Sequence, residues 1–334
     1  MLALVLDGID QPLKLRKVPT PTPAAGEVQV QLHAAALNHR DVWIQKGQYA
    51  GLKFPIILGS DGAGRVSAVG EGVEPDLLGR EVLINPGQNW GDNPAAQARS
   101  FTILGLPHDG TFAEYVCVPA RAVQAKPTHL SFAQAAALPL GGVTAYRALF
   151  TRAALQPGER VLISGVGGGV ALLTLQMAVA VGAEVWVTSG SSEKIVKAVA
   201  LGARGGISYK TEKWPAQLIN EAGGGFDVVV DSAAGPGFND LLDAAAPGAR
   251  IVFYGGTHGA IPQVPPAKIF WKQLSILGST MGTEQDFARM VTLFEQHKLV
   301  PAIDEILPLA SGEKALHRMA QGLQFGKIIL QILV

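Results

Sequence analysis

VLISGVGGGVALLTLQMA, Val161 to Ala178, is the stretch on which the fold turns. A short apolar strand runs into a glycine-rich turn, and the turn runs into an apolar helical segment. A strand, turn and helix in that order aim free backbone N–H groups and a helix N-terminus at an anion, and a dinucleotide pyrophosphate is the natural guest. The register reads Gly165-x-x-Gly168-x-x-Ala171, with Gly167 and Gly169 adding backbone freedom and Val170 in the first helical turn; alanine at the last position is a tolerated variant. An ordinary tight turn is the plainer alternative. The run from Gly165 to Ala183 carries no charge and has about the length a bilayer needs, yet it follows a strand and begins glycine-rich, so a buried α/β unit is expected.

Downstream, strand-like and helix-like segments alternate: EVWVTSG, SEKIVKAVALG, FDVVVDSA, FNDLLDAAA, RIVFYGG and LSILGST. Such alternation implies a parallel sheet with helices on both faces. Gly255 and Gly256 follow one of these strands at the carboxyl edge, where ligands of such sheets bind. The second strand, EVWVTSGSSEK, ends in Ser189, Gly190, Ser191 and Ser192, where an NAD-binding unit carries an acid for the ribose hydroxyls. Serine hydroxyls and the charge of Lys194 suit a 2′-phosphate, so NADP(H) is the expected cofactor. Lys194 as a solvated residue at a helix start is the alternative.

Upstream, residues 1 to about 125 read as short strands with turn signals: VQVQLH, GRVSAVGEG, EVLI and FAEYVCVP. They predict a compact, mostly antiparallel β domain. NPGQNWGDNPAAQARSFTILGLPHDG, Asn85 to Gly110, is a long polar connection of the kind that is usually functional or inherited from something functional. SFAQAAALPLGGVTAYRALF is alanine-rich with helical spacing, and Ser131 can cap it. The final segment, LPLASGEKALHRMAQGLQFGKIILQIL, predicts one helix and then a strand.

At 334 residues the chain is long enough for two domains with their own cores. Lysine plus arginine balance aspartate plus glutamate at 27 each, without long runs of one sign, which argues against nucleic-acid or membrane partners and leaves a small molecule as the default. A single cysteine, Cys117, rules out an intramolecular disulfide and a multi-cysteine metal site, and it is expected to be a buried strand residue. MLALVLDGIDQPLKLRK lacks the basic start, apolar core and cleavage site of a secretory signal, so the chain reads as cytoplasmic.

GSDGAGRV, AALPLGGVTAYRAL, SGVGGGV, LGARGGISY, FDVVVDSA and GKIIL together resemble the medium-chain dehydrogenase/reductase superfamily over nearly the whole chain, closest to its zinc-type alcohol dehydrogenase-like and quinone oxidoreductase-like members. The resemblance implies an α/β protein with a GroES-like β domain, residues 1–126 and 284–334, and a Rossmann doubly wound parallel-sheet domain, residues 127–283, with the active site in the cleft between them. Metal-dependent members hold a catalytic zinc through residues matched here by Asn38, Ser60 and Asp61. Asparagine and serine are poor zinc ligands, and one carboxylate cannot fill three positions, so no catalytic zinc is expected. The 85–110 lobe, which holds a four-cysteine zinc in some relatives, has Asn89, Asp92 and Asn93 but no cysteine, so no structural zinc is expected either. Asp61 is then a carboxylate that shapes its turn or supports a neighbour.

Without a metal to polarise its oxygen, the acceptor must be easier to reduce, as quinones and α,β-unsaturated carbonyls are. By resemblance to quinone reductase-like members, Asn38, Asp41, Trp43 and Tyr49 line the substrate cleft and Thr144 approaches from the other domain. Asn38 would bond a carbonyl and Tyr49 donate a proton or wall the pocket; equally, Asn38 and Asp41 cap a helix, Trp43 is core and Tyr49 is a loop residue. His39 has no identifiable partner. The resemblance also puts Tyr209 near the adenosine phosphate and Lys327 near the cofactor phosphates, and it implies a homodimer through the Rossmann sheet edge at Leu274–Ser279. Two other readings stay open: an alcohol dehydrogenase with unconventional zinc ligands, and a non-catalytic NADPH-binding protein.

Overall fold

The computed structural model describes residues 1–333, and the chain divides into two compact units, Met1–Gly141 with the chain from Gly282 onward, and Gly142–Met281. The first unit opens with strands β1 (Leu2–Leu6), β2 (Lys14–Lys17) and β3 (Glu27–Ala36), followed by helix α1 (His39–Gln45). Strands β4 (Ile56–Ile57), β5 (Asp61–Val69), β6 (Glu81–Ile84), β7 (Gly87–Gln88), β8 (Thr102–Ile103), β9 (Tyr115–Pro119) and β10 (Val123–Ala125) come next. Helices α2 (Phe132–Ala136) and α3 (Pro139–Tyr146) lead into the second unit, the boundary falling within α3. Residues 127–141, assigned from sequence to the nucleotide-binding domain, belong instead to the first unit, because α2 packs on β3 and β5. Nor is the alanine-rich segment one helix. Proline at 139 has no N–H to continue a helix and disfavours helical geometry at Leu138, so the chain breaks there and restarts. Ser131 does cap α2, accepting from Gln134 N at 3.3 Å.

The second unit alternates as the sequence predicts: β11 (Arg160–Ile163), α4 (Gly169–Ala180), β12 (Glu184–Ser189), α5 (Ser192–Ala200), β13 (Gly205–Ser208), α6 (Trp214–Ala222) and β14 (Phe226–Asp231). Then come α7 (Phe238–Ala244), β15 (Ala245–Phe253), α8 (Pro266–Phe270) and β16 (Ser275–Gly278). Its six strands are all parallel in the order β13-β12-β11-β14-β15-β16. Strand order reverses between β11 and β14, the switch point beside which Rossmann sheets take their ligand. Ala171 to Ala178 of α4 are buried on every face, which explains the chargeless run. Among the described residues no helix is long and apolar enough to cross a membrane.

The chain then returns to the first unit as α9 (Glu284–Gln296), β17 (Ile303–Pro308), α10 (Gly312–Ala320) and β18 (Lys327–Gln331). The large sheet there runs β10-β6-β5-β3-β18-β17, with β9 also on β3, so its middle is completed by the last strand of the chain. Two glycines of GSDGAG answer to close packing. Gly59 has φ +97°, and a Cβ on it would lie 2.4 Å from the Phe112 ring; a Cβ on Gly64 would lie 2.0 Å from Gln31 O across the β3–β5 seam. Cys117 is half-buried on β9 rather than fully buried.

Candidate active site and cofactor cradle

Strand register builds the centre of the first unit. Ala36, the last residue of β3, pairs with Asp61 on one side and Ile329 on the other, and Leu37 N donates to Ile328 O at 3.0 Å. Asn38 therefore leaves the sheet flanked by Asp61 and by Lys327, the first residue of β18. Lys327 Nζ donates to Asn38 Oδ1 at 2.7 Å and to Asp61 Oδ2 at 2.8 Å, and Asn38 Nδ2 donates to the same Asp61 oxygen at 2.9 Å. The second Asp61 oxygen accepts from Leu140 N at 2.7 Å, and Thr111 Oγ1 donates to the Asp61 carbonyl at 2.8 Å. Asn38, Asp61 and Lys327 are 7%, 0% and 3% exposed. Lys327, expected beside the cofactor phosphates, spends its ammonium here instead. The charge of the buried Asp61 carboxylate is neutralised by an ammonium that reaches it from 266 residues away.

Ser60 is drawn into a second network, one that sequence reasoning missed because it hinges on Arg40. The Arg40 guanidinium, on a residue 5% exposed, donates to Ser60 Oγ at 2.7 Å, Leu104 O at 2.8 Å and Leu106 O at 3.4 Å. Its Cζ lies 5.0 Å above the Tyr49 ring, so Tyr49 walls a buried cation. Arg40 thus ties α1 to the 85–110 lobe. Within the lobe, the Trp90 and Phe101 rings meet edge to face at 5.3 Å and Trp90 Nε1 donates to Asn93 O at 3.0 Å. These groups do not suit zinc at either place. A cation already sits on the only carboxylate of the first, and no cluster of three histidine, cysteine or acidic residues that could hold a metal exists among the described residues.

Asp41 serves the helix start: one carboxylate oxygen accepts from Asn38 N at 2.8 Å, while its Oδ1 is buried without a hydrogen-bond partner. Burial pushes its carboxyl up to about 6 against the lowering pull of Arg40 and of the Asn38 bond. Trp43 is half-buried, its ring 6.3 Å from that of exposed His39. Thr144 lies in the second unit, buried, with its hydroxyl 3.9 Å from Met281 Sδ.

In the second unit no side chain caps α4, whose N-cap is Gly168, so its first-turn amides are left to a ligand. Gly165 and Gly167 need positive φ, +64° and +143°, and a Cβ on Gly167 would lie 2.9 Å from Lys194 Cδ. At the end of β12 the Tyr209 hydroxyl covers Gly190, where a Cβ would come within 2.5 Å of it, and Lys210 Cε would be 3.4 Å away. Ser191 caps α5, accepting from Lys194 N at 3.4 Å. Ser189 is turned inward: its hydroxyl donates to Val166 O at 3.3 Å, so it braces the glycine turn instead of facing a phosphate. Gly255 follows β15 with Ser232 O 2.7 Å from where its Cβ would be, and Gly256 has open space beside it. A buried Asp231 at the end of β14, not singled out from sequence, accepts from Ser164 Oγ and from Ala234 N and holds the two sides of the switch point together. Uncapped amides and cleared backbone fit a nicotinamide dinucleotide, with Lys194, Tyr209 and Lys210 around the adjoining glycines.

A family model described as an alcohol dehydrogenase GroES-like domain matches residues 24–128, and one described as a zinc-binding dehydrogenase matches 169–296. A zinc-type alcohol dehydrogenase-like protein of Leptosphaeria maculans is 35% identical, the match covering 96% of this chain and 95% of that one. An acryloyl-coenzyme A reductase of Metallosphaera sedula is 29% identical over 99% of both chains. A crystal structure described as an NAD-dependent alcohol dehydrogenase superposes with a TM-score of 0.94 at 38% identity, covering 99% of this chain and 100% of that one.

Two variants test this geometry. Asp61→Asn or Lys327→Met alone strands a buried charge and lowers the unfolding free energy by about 3–5 kcal/mol, while the double variant recovers most of the loss. Denaturant titration reads both, and single-variant costs under about 0.5 kcal/mol, as at an ordinary surface site, would contradict the buried pair. Because the folded-state value of Asp41 lies above the unfolded one, its contribution is fully present at low pH and is lost as pH rises through about 6. Asp41→Asn keeps the acceptor for Asn38 N and removes that loss, so the variant gains on wild type by about 2 kcal/mol between pH 4 and pH 7. A stability difference that does not change with pH would refute it.

Proposed function

The chain belongs to the medium-chain dehydrogenase/reductase superfamily, an oxidoreductase family that uses a nicotinamide cofactor, and we propose that it is an NADPH-dependent, metal-independent reductase of quinones or α,β-unsaturated carbonyl compounds. The observation that carries this reading is the Lys327 ammonium lodged between Asn38 and Asp61, which supplies a fixed positive charge where relatives of the zinc type would use a metal. A lysine cannot coordinate an alcohol oxygen as a Lewis acid does, so the acceptor must delocalise its own charge, which conjugated carbonyls do. The name of the Metallosphaera relative points to a conjugated acyl thioester, an acceptor of the same electronic class. When bound, the cofactor supplies the hydride; the chain orients the acceptor, excludes water and offers Asn38 as a hydrogen-bond donor to the oxygen that gains charge.

NADPH over NADH is supported by the absence of an acid at Ser189–Ser192 and by Lys194, Tyr209 and Lys210 around the adjoining glycines. A homodimer through β16 belongs to the same reading. That strand ends the sheet with Ile276 37% exposed, and Trp271, shortly before it in the chain, is 79% exposed, although Leu274 packs inward.

The decisive assay follows NADPH and NADH consumption by chelator-treated protein with an ortho-quinone and an enone. Expected are NADPH-selective turnover without added metal and a KM for NADPH raised at least tenfold by Lys194→Glu. Turnover that prefers NADH, or that needs zinc, would overturn the respective half of the proposal. Sedimentation should show a dimer that Ile276→Lys splits, and a wild-type monomer would remove the edge contact.

A further inference from the structure

The polar centre of the first unit does more than neutralise itself. Lysine can only donate and an ionised aspartate can only accept. Asn38 Oδ1 faces the donor at 2.7 Å and Nδ2 faces the acceptor at 2.9 Å. Turning the carboxamide over would set its N–H groups against an ammonium and its oxygen against a carboxylate, two repulsive contacts in a buried place. The main chain of Asn38 is held as well, by its N–H on Asp41. Yet Asn38 carries a second Nδ2 hydrogen that donates to no other group among the described residues, on a residue only 7% exposed. An unspent donor so nearly buried is costly unless something else accepts from it.

We propose that Lys327 is a positioning residue for the reaction: with Asp61 it fixes the Asn38 carboxamide in one orientation, so that the spare N–H is held ready for the oxygen on which negative charge develops. This deepens the reading of the preceding section and takes the acceptor class from it. Lys327 need not touch the substrate. Its contribution is that the donor does not have to reorganise when charge arrives, and that is what makes such donors effective.

The test compares wild type with Lys327→Met and with Lys327→Met/Asp61→Asn, which removes both charges together and so spares the fold. Steady-state turnover with NADPH and an ortho-quinone should fall ten- to hundredfold in kcat for the double variant, with KM for NADPH within twofold and melting close to wild type. A double variant that melts like wild type and keeps its kcat overturns the proposal, since a merely structural pair would be fully replaced. An independent readout uses protein labelled with 15N-asparagine, the Asn38 amide being identified by its loss in Asn38→Ser. Exchange of its Asp61-bonded Nδ2 proton with solvent should be slow in wild type and at least tenfold faster in either Lys327 variant. Fast exchange in wild type overturns the lock whether or not the variants fold. If wild type reduces no quinone or enone, the acceptor assignment fails by itself, and the exchange rate still decides the lock.

Discussion

The pairing of Lys327 with Asp61 is the contact on which the first unit is organised. It joins the start of β18 to the start of β5 across β3, and it fills the place where Asn38 leaves the sheet. A buried pair of this kind is a weak source of net stability, because desolvation offsets most of the attraction. What it does is discriminate. With both charges present, one strand register and one carboxamide orientation are satisfied, and a one-residue slip of β18 would strand a carboxylate at the core of the sheet.

Around that pair, the residues at Asn38, Ser60 and Asp61 make direct polar contacts with basic side chains. Asn38 and Asp61 bond to a lysine, and Ser60 to the Arg40 guanidinium. The lobe that needs zinc in some relatives is held by Arg40 on the carbonyls of Leu104 and Leu106 and by aromatic packing of Trp90 on Phe101. Arginine suits this task, because its planar fork of donors can serve several carbonyls at once without being deprotonated.

The second unit was readable in the sequence almost strand by strand, since a glycine turn between a short apolar strand and a buried helix fixes local geometry within about a dozen residues. The first unit was readable as strands but not as a site. Asn38 and Asp41 advertise a helix start through their three-residue spacing, and both capping and the turn around Gly59 follow from local rules. Lys327 and Arg40 do not, because their partners lie far along the chain and nothing local marks a basic residue as buried. Ser189 misled for a related reason: the end of a strand predicts where a hydroxyl sits but not whether it turns toward Val166 or toward solvent.

The order in which the chain is made now acquires meaning. Residues 142–281 form a unit continuous in sequence, whereas the first unit's sheet lacks β17 and β18 until synthesis has passed Gln331. The Lys327–Asn38 contact spans 289 residues, so the ribosome releases a finished nucleotide-binding unit while β3 still has an open edge on the side β18 will occupy. Completion of the polar centre therefore waits for β18, long after the second unit has been made, and a first unit without that strand would be left with a buried carboxylate and no ammonium to neutralise it.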